Sequence, residues 1–184
     1  APEPVVLLPN QFVWPISKGG NGHVYEFIEV GQTWDAARAN AASHSFLGAI
    51  GHLATITSSQ EQDFFRAIAA EYGWIGGIQN TNSPTYSEPS GGWTWITNEA
   101  WQYTNWASLE PSNFQGNENA LLFLGTDGGF SWNDDATSDL WPYWIEYPTT
   151  IVEAPDEVLI GRNQTWSYRD GVANGSPYPV DAQG

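Results

Sequence analysis

The sequence predicts an α+β domain: two helices, small antiparallel sheets and one long loop. Three observations lead there. Helical signals occur only twice, both in the first half of the chain. The remaining apolar residues fall in short runs rich in β-branched and aromatic types, the composition of strands. From Thr97 to Gly116 both signals vanish, although the stretch holds Trp101, Tyr103, Trp106 and Phe114. A long irregular segment in a compact domain is usually functional, and its aromatics imply that it packs.

The elements follow in order. Val5-Val6-Leu7-Leu8, bounded by Pro4 and Pro9, reads as an edge strand. Lys18-Gly19-Gly20-Asn21-Gly22 is a turn, and residues 23–30 form a strand. Thr33 is an N-cap for a helix from Trp34 to Ala42, which contains five alanines. Leu53 to Ile56 is a short strand. Ser58 then forms a capping box with Glu61 and opens a second helix to about Tyr72, stopped by Gly73. Phe64, Phe65, Ile68 and Tyr72 give it one apolar face. Trp74–Ile78 is a buried strand, residues 79–92 a loop, and Trp93–Ile96 a strand with an aromatic face. Leu121–Leu124 and Phe130–Trp132 are strands joined by a Gly128-Gly129 turn, and Tyr143–Tyr147 closes the body. The chain thus divides into an N-terminal segment (1–22), a domain (23–148) and a Pro/Gly/Asn-rich stretch (149–184). That stretch is a tail or the start of a further domain, with sequons at Asn163 and Asn174.

Composition removes several function classes. Of 184 residues only five are Lys or Arg, and the formal charge is −16. Such a surface repels phosphate backbones and anionic membranes, so nucleic acid is not an expected partner. There is no cysteine, which excludes thiolate zinc and iron–sulfur sites and leaves no disulfide. No apolar run approaches the ~20 residues of a membrane span. The start Ala-Pro-Glu-Pro reads as a mature end left by signal cleavage, or one trimmed otherwise. The expectation is a secreted or cell-surface protein. His23, His44 and His52 are scattered, with no zinc or Ser/His/Asp spacing, so no enzyme is expected.

Two short stretches concentrate side-chain oxygens: Glu110-Pro111-Ser112-Asn113 with Asn117-Glu118, and Trp132-Asn133-Asp134-Asp135. In a chain nearly without cations, such a cluster suits a hard cation with oxygen ligands, calcium above all.

In this order the motifs resemble the C-type lectin domain. Trp34-Asp35-Ala36-Ala37 is similar to its Trp-x-x-Ala. Gly51-His52-Leu53-Ala54-Thr55-Ile56 is similar to its Gly-x-Leu-Ala-x-Ile, and Trp74-Ile75-Gly76-Gly77 to its Trp-Ile-Gly-Leu. Glu110-Pro111-Ser112 resembles the Glu-Pro-Asn triplet, and Trp132-Asn133-Asp134 is the Trp-Asn-Asp motif intact. The resemblance spans residues 23–147 and implies a lectin-like fold with a long calcium-binding loop. It implies a calcium shell of Glu110, Ser112, Glu118, Asn133 and Asp134, with Pro111 in cis. Vicinal sugar hydroxyls would meet Glu110, Ser112, Asn113, Glu118 and Asn133, in an arrangement of the mannose/glucose/fucose type. Trp106 or Phe114 would stack on a sugar face. The family also has an accessory ion, but Asn113 and Asn119 stand where relatives often have acids, so an ion there would be held more weakly and its presence stays open. Ser112 departs from the family's Asn. The family's two cystines correspond to Ala41 with Ile145 and Ala120 with Thr137, a replacement that looks bacterial.

The implied function is calcium-dependent glycan binding, in adhesion or surface recognition. Three alternatives stay open. The chain is a structural subunit of an extracellular assembly, self-associating through its N- or C-terminal segment, with calcium only structural. It binds ice or mineral, which this fold also hosts. Or Glu118 and Asp134 are merely solvated loop acids.

Overall fold

A computed structural model describes residues 5–126 and 128–151. Ten strands and two helices follow one another: β1 (Gln11–Val13), β2 (Val24–Gln32), α1 (Trp34–Ser43), β3 (Ser45–Phe46), β4 (Ala49–Ile50), β5 (His52–Leu53), α2 (Ser59–Ala67), β6 (Gly73–Gln79), β7 (Trp93–Trp95), β8 (Glu118–Phe123), β9 (Trp132–Ala136) and β10 (Trp141–Tyr147). Two sheets form: one of eight strands, ordered β1-β2-β10-β6-β8-β9 with β5 on β10 and β7 on β6, and the two-stranded β3-β4. The pairings are antiparallel except for β10 with β6, which meet in parallel at Tyr143 and Trp74. β2 lies between β1 and the last strand, β10, so the start and the end of the domain are tied together.

Side-chain alternation splits the apolar residues between the two faces of this sheet. Trp74, Ala120, Leu122, Tyr143, Ile145 and Tyr147 face α1, where Trp34, Ala37 and Ala41 pack on them. Ile75, Leu121, Phe123 and Trp144 face the other way, against Phe64 and Phe65 of α2 and the aromatics of the long loop. Burial on both faces explains why these strands read as continuous apolar runs. Ala41 and Ile145, the pair that the resemblance sets against one of the family's cystines, are both fully buried in the α1 face. An added Cβ at Gly51 would lie 2.7 Å from Ile145 Cγ2 and 2.8 Å from Ala41 O, so the chain is closely packed around this pair. Ala120 is buried in the same cluster, and Thr137 O accepts the Trp34 N–H at 3.0 Å.

Helix α1 starts as the sequence predicts, with Thr33 Oγ1 accepting from Ala36 N. At α2, Ser58 Oγ accepts from Glu61 N, but the Glu61 carboxylate reaches back to Thr57 N instead of Ser58 N. This helix ends at Ala67, five residues before the expected Tyr72. Ala69 takes φ +50, Ala69 N donates to Arg66 O and Ala70 N to Phe65 O, which is a Schellman cap with Ala where glycine is usual. Turning there buries Ala70 and leaves Tyr72 largely exposed. Because Ala69 holds a left-handed conformation on the surface, Ala69→Gly is expected to stabilise the fold by about 0.5–1 kcal/mol, read by thermal or urea denaturation.

Three strand expectations also shift. Val5–Leu8 is not a strand; the pairing segment is Gln11–Val13, beyond Pro9. The Leu53–Ile56 strand shortens to His52–Leu53. Phe130 has φ +58 and belongs to a turn, so β9 starts at Trp132. The hairpin β3–β4 had no sequence signal. The stretch 97–116 is irregular as expected, and residues 152–184, with both sequons, lie outside the described residues.

Candidate functional site

Trp132 fixes the floor of the site. It is fully buried, and its Nε1–H donates to Gln62 Oε1 of α2 at 3.0 Å. Its backbone holds the long loop from both sides: Trp132 N donates to Asn105 O at 2.9 Å, and Ala107 N donates to Trp132 O at 2.8 Å. Alternation along β9 puts Asp134 on the same side as Trp132, and its residue is 0% exposed. There its carboxylate accepts the N–H of Ser112 on Oδ1 and of Asn113 on Oδ2, both at 2.8 Å. One side chain therefore clamps the loop at the triplet. The Glu110–Pro111 peptide is cis.

Glu118 arrives from β8 through a bulge. Glu118 pairs with Ala136 but Ala120 with Asp135, so Asn119 is the extra residue. Bulges re-aim side chains, and here Glu118 turns under the loop. Its Oε2 accepts from Phe114 N and from Ser112 Oγ, the latter at 3.3 Å, while its own N–H donates to Asn113 Oδ1 at 3.2 Å. Glu110 completes the group. Its Oε2 is buried without a hydrogen-bond partner, and its carboxyl lies in interaction range of Asp134. Burial raises the Glu110 pKa first, and the Asp134 carboxylate pushes it the same way, against a Ser112 hydrogen bond that lowers it. Glu118 is raised too, by burial and then by Asp134 and Asp135, with the Phe114 N–H opposing.

Glu110, Ser112, Asn113, Glu118 and Asp134 thus come together. Asn133 sits beside them on β9, but its Nδ2 donates to Asp134 O at 2.6 Å. Asp135 serves the fold, accepting the Trp141 Nε1–H at 2.8 Å. Among the described residues no three His, Asp or Glu side chains form a ready-made metal cluster, because Asp134 and Glu118 turn toward backbone N–H groups. The donor set nonetheless fits a cation. Each carboxylate oxygen that accepts an N–H keeps a second lone pair. Glu110 Oε2 has no donor, and the Glu110 carboxyl lies in interaction range of the Asp134 carboxylate. Of the two stacking candidates, Trp106 is engaged with Trp93, Trp101 and Trp132, whereas Phe114 stands 65% exposed at the rim. Sequence reasoning missed a second Glu-Pro-Ser triplet, residues 88–90, whose Glu88–Pro89 peptide is also cis. The repetition was visible in the letters alone.

The family model of the lectin C-type domain matches residues 30–145, which include every residue of this site. The chain belongs to the C-type lectin domain family. Among its relatives, the alpha-N-acetylgalactosamine-specific lectin of Patiria pectinifera is 29% identical over 132 residues, covering 71% of this chain and 77% of that protein. Halomucin of Haloquadratum walsbyi is 31% identical over 140 residues, 69% of this chain but only 1% of that much longer protein. Among solved structures, the C-type lectin CEL-I of Cucumaria echinata superposes with a TM-score of 0.56 at 27% identity, over 69% of this chain and 90% of its own. This C-type lectin domain has no cysteine. No helix among the described residues is long and apolar enough to cross a membrane.

Proposed function

We propose that this chain is a secreted, calcium-dependent carbohydrate-binding protein. The observation that carries the reading is Glu110: a buried carboxylate oxygen without a donor, beside the Asp134 carboxylate, in a strongly acidic chain. Glu110, Ser112, Glu118, Asn133 and Asp134 would hold the ion. When bound, calcium supplies positive charge and open oxygen sites for two vicinal sugar hydroxyls. The protein groups do the rest: carboxylates accept hydroxyl protons, and Asn133 and Asn113 offer amide N–H donors once their present bonds exchange. Ser112 keeps its hydroxyl near Glu118 and so acts as both ligand and donor at that corner. Glu110 leading the triplet supports a mannose/glucose/fucose-type preference, and Phe114 offers an apolar face at the rim.

A calcium titration by calorimetry, with mannose and N-acetylgalactosamine as paired ligands, tests this. Calcium is expected to raise the melting temperature and to be required for glycan binding, with mannose the tighter sugar. Unchanged stability and unchanged glycan binding in EDTA would refute the reading. A second reading, an assembly subunit, is favoured by the N-terminal segment, where Val6 and Leu8 are 60% and 55% exposed beside buried Leu7. It predicts self-association that persists in EDTA and disappears when both are changed to Ser, measured by sedimentation. The C-terminal part of that idea concerns residues outside those described.

A further inference from the structure

The family resemblance leaves open an accessory ion near Asn113 and Asn119, where relatives often have acids. The residues there do not fit one. Asn113 is committed to the principal site, its Oδ1 accepting from Glu118 N and its own N–H donating to Asp134. One residue beyond the Ile78–Ala120 pair, Gln79 of β6 stands across from Asn119 of β8. Gln79 is only 4% exposed. Its Nε2 faces three acceptors: Gly91 O at 2.9 Å, Pro89 O at 3.2 Å and Glu88 Oε2 at 3.4 Å. Three acceptors on one side fix which end of the amide is nitrogen. The remaining oxygens, Gln79 Oε1 and Asn119 Oδ1, are buried and neutral. They ask for a hydrogen-bond donor, which water satisfies, and give a divalent ion no charge to offset its dehydration. The carboxylate that reaches Gln79, that of Glu88, meets the nitrogen end and is shared with Tyr86 OH.

We infer that the Gln79 amide braces the loop of residues 80–92 in place of a cation, and that this chain takes one ion and not two. The amide N–H groups draw in the carbonyls that a cation would otherwise gather. The loop is built to close on that single point. Asn80 N donates to Gly92 O at 2.8 Å, and an added Cβ at Gly91 would stand 2.4 Å from Thr85 O. Trp93 Nε1–H shares the Pro89 carbonyl at 3.0 Å. The ion count rests on the proposed function; the brace does not.

Hydrogen exchange across residues 80–92, measured on the full chain with calcium and with EDTA, tests the brace. The expected result is equal protection in both, and at least tenfold faster exchange in that loop for Gln79→Ala. Gln79→Glu places a carboxylate against three oxygens, so its loop is expected to exchange fast in EDTA and to regain protection with calcium. The inference is overturned if calcium slows exchange in the wild-type loop, if calorimetry counts two ions per chain, or if both variants exchange like wild type. A count of zero ions would sink the calcium reading and leave the exchange comparison to decide the brace.

Discussion

Asp134→Ala is expected to abolish calcium binding and glycan binding together, and to lower stability by about 2–4 kcal/mol. The two losses have one origin. Asp134 is the clamp that holds Ser112 and Asn113 by their backbone N–H groups, at 2.8 Å each. Removing it leaves two partly buried donors unsatisfied, each costing about 1–3 kcal/mol, less what the loop recovers by relaxing toward water. The loop that carries Glu110 then loses its position even though Glu110 is intact. Asp134→Asn separates the two effects. It keeps one accepting oxygen and nearly the same volume but turns an amide NH2 onto the second backbone N–H, so about half of the lost stability should return while the charge is lost. Denaturation of both variants in EDTA, followed by calcium calorimetry, checks this. Equal stability of wild type and Asp134→Ala in EDTA would show that the clamp contributes nothing.

The second large effect concerns pH and lies away from the loop. Glu61 of α2 is buried, its Oε1 accepting from Tyr25 OH at 2.6 Å and its Oε2 from Thr57 N at 2.7 Å. The same Tyr25 hydroxyl stands 3.3 Å from Glu146 Oε1. Glu146 in turn meets His23 Nδ1 at 2.6 Å and Thr55 N at 3.0 Å. Burial first, and then the Glu146 charge, raises the Glu61 pKa to about 7, while its hydrogen bonds to Tyr25 and Thr57 pull the other way. A carboxyl raised on folding binds its proton more tightly in the folded state. Its contribution is therefore greatest below its unfolded value of 4.5 and is lost as pH rises toward 7. The loss is on the order of 3 kcal/mol between those limits. Glu61→Gln keeps an acceptor for Thr57 and places an uncharged group beside Tyr25. It should flatten the profile and be more stable than wild type at pH 8, but not at pH 4.5. Urea denaturation across that range, in the absence of calcium, decides it.

The legible features were those written in local chemistry. Ser58 and Thr33 announced helix starts because a side-chain oxygen facing a free N–H is a short-range event. The acid-bearing triplet and Asn133-Asp134 stood out because they concentrate side-chain oxygens in a chain with only five Lys or Arg. The end of α2 was not, because its cap uses Ala69 where a glycine signal was sought, and the next glycine is Gly73. The β1 pairing hid behind Pro9, with the more apolar Val5–Leu8 run drawing the strand assignment. Nor does a sequence reveal that Asp134 meets backbone and not only side chains, or that Asn119 bulges; both depend on register between β8 and β9. Glu61, Tyr25 and Glu146 converge from α2, β2 and β10, and no spacing encodes that meeting.

Trp132, one residue before the Asn133-Asp134 pair, has ring neighbours at Tyr103 (5.6 Å), Trp95 (5.7 Å), Trp101 (6.0 Å) and Trp106 (6.0 Å). Indoles this close exchange excitation before they emit, so their fluorescence and near-ultraviolet dichroism behave as a collective property of the group. A change in the loop large enough to break the Ala107–Trp132 backbone bond would move Trp106 against Trp132 and alter that collective signal. The aromatic group is thus an intrinsic optical probe of the packing around Trp132, readable without any attached dye.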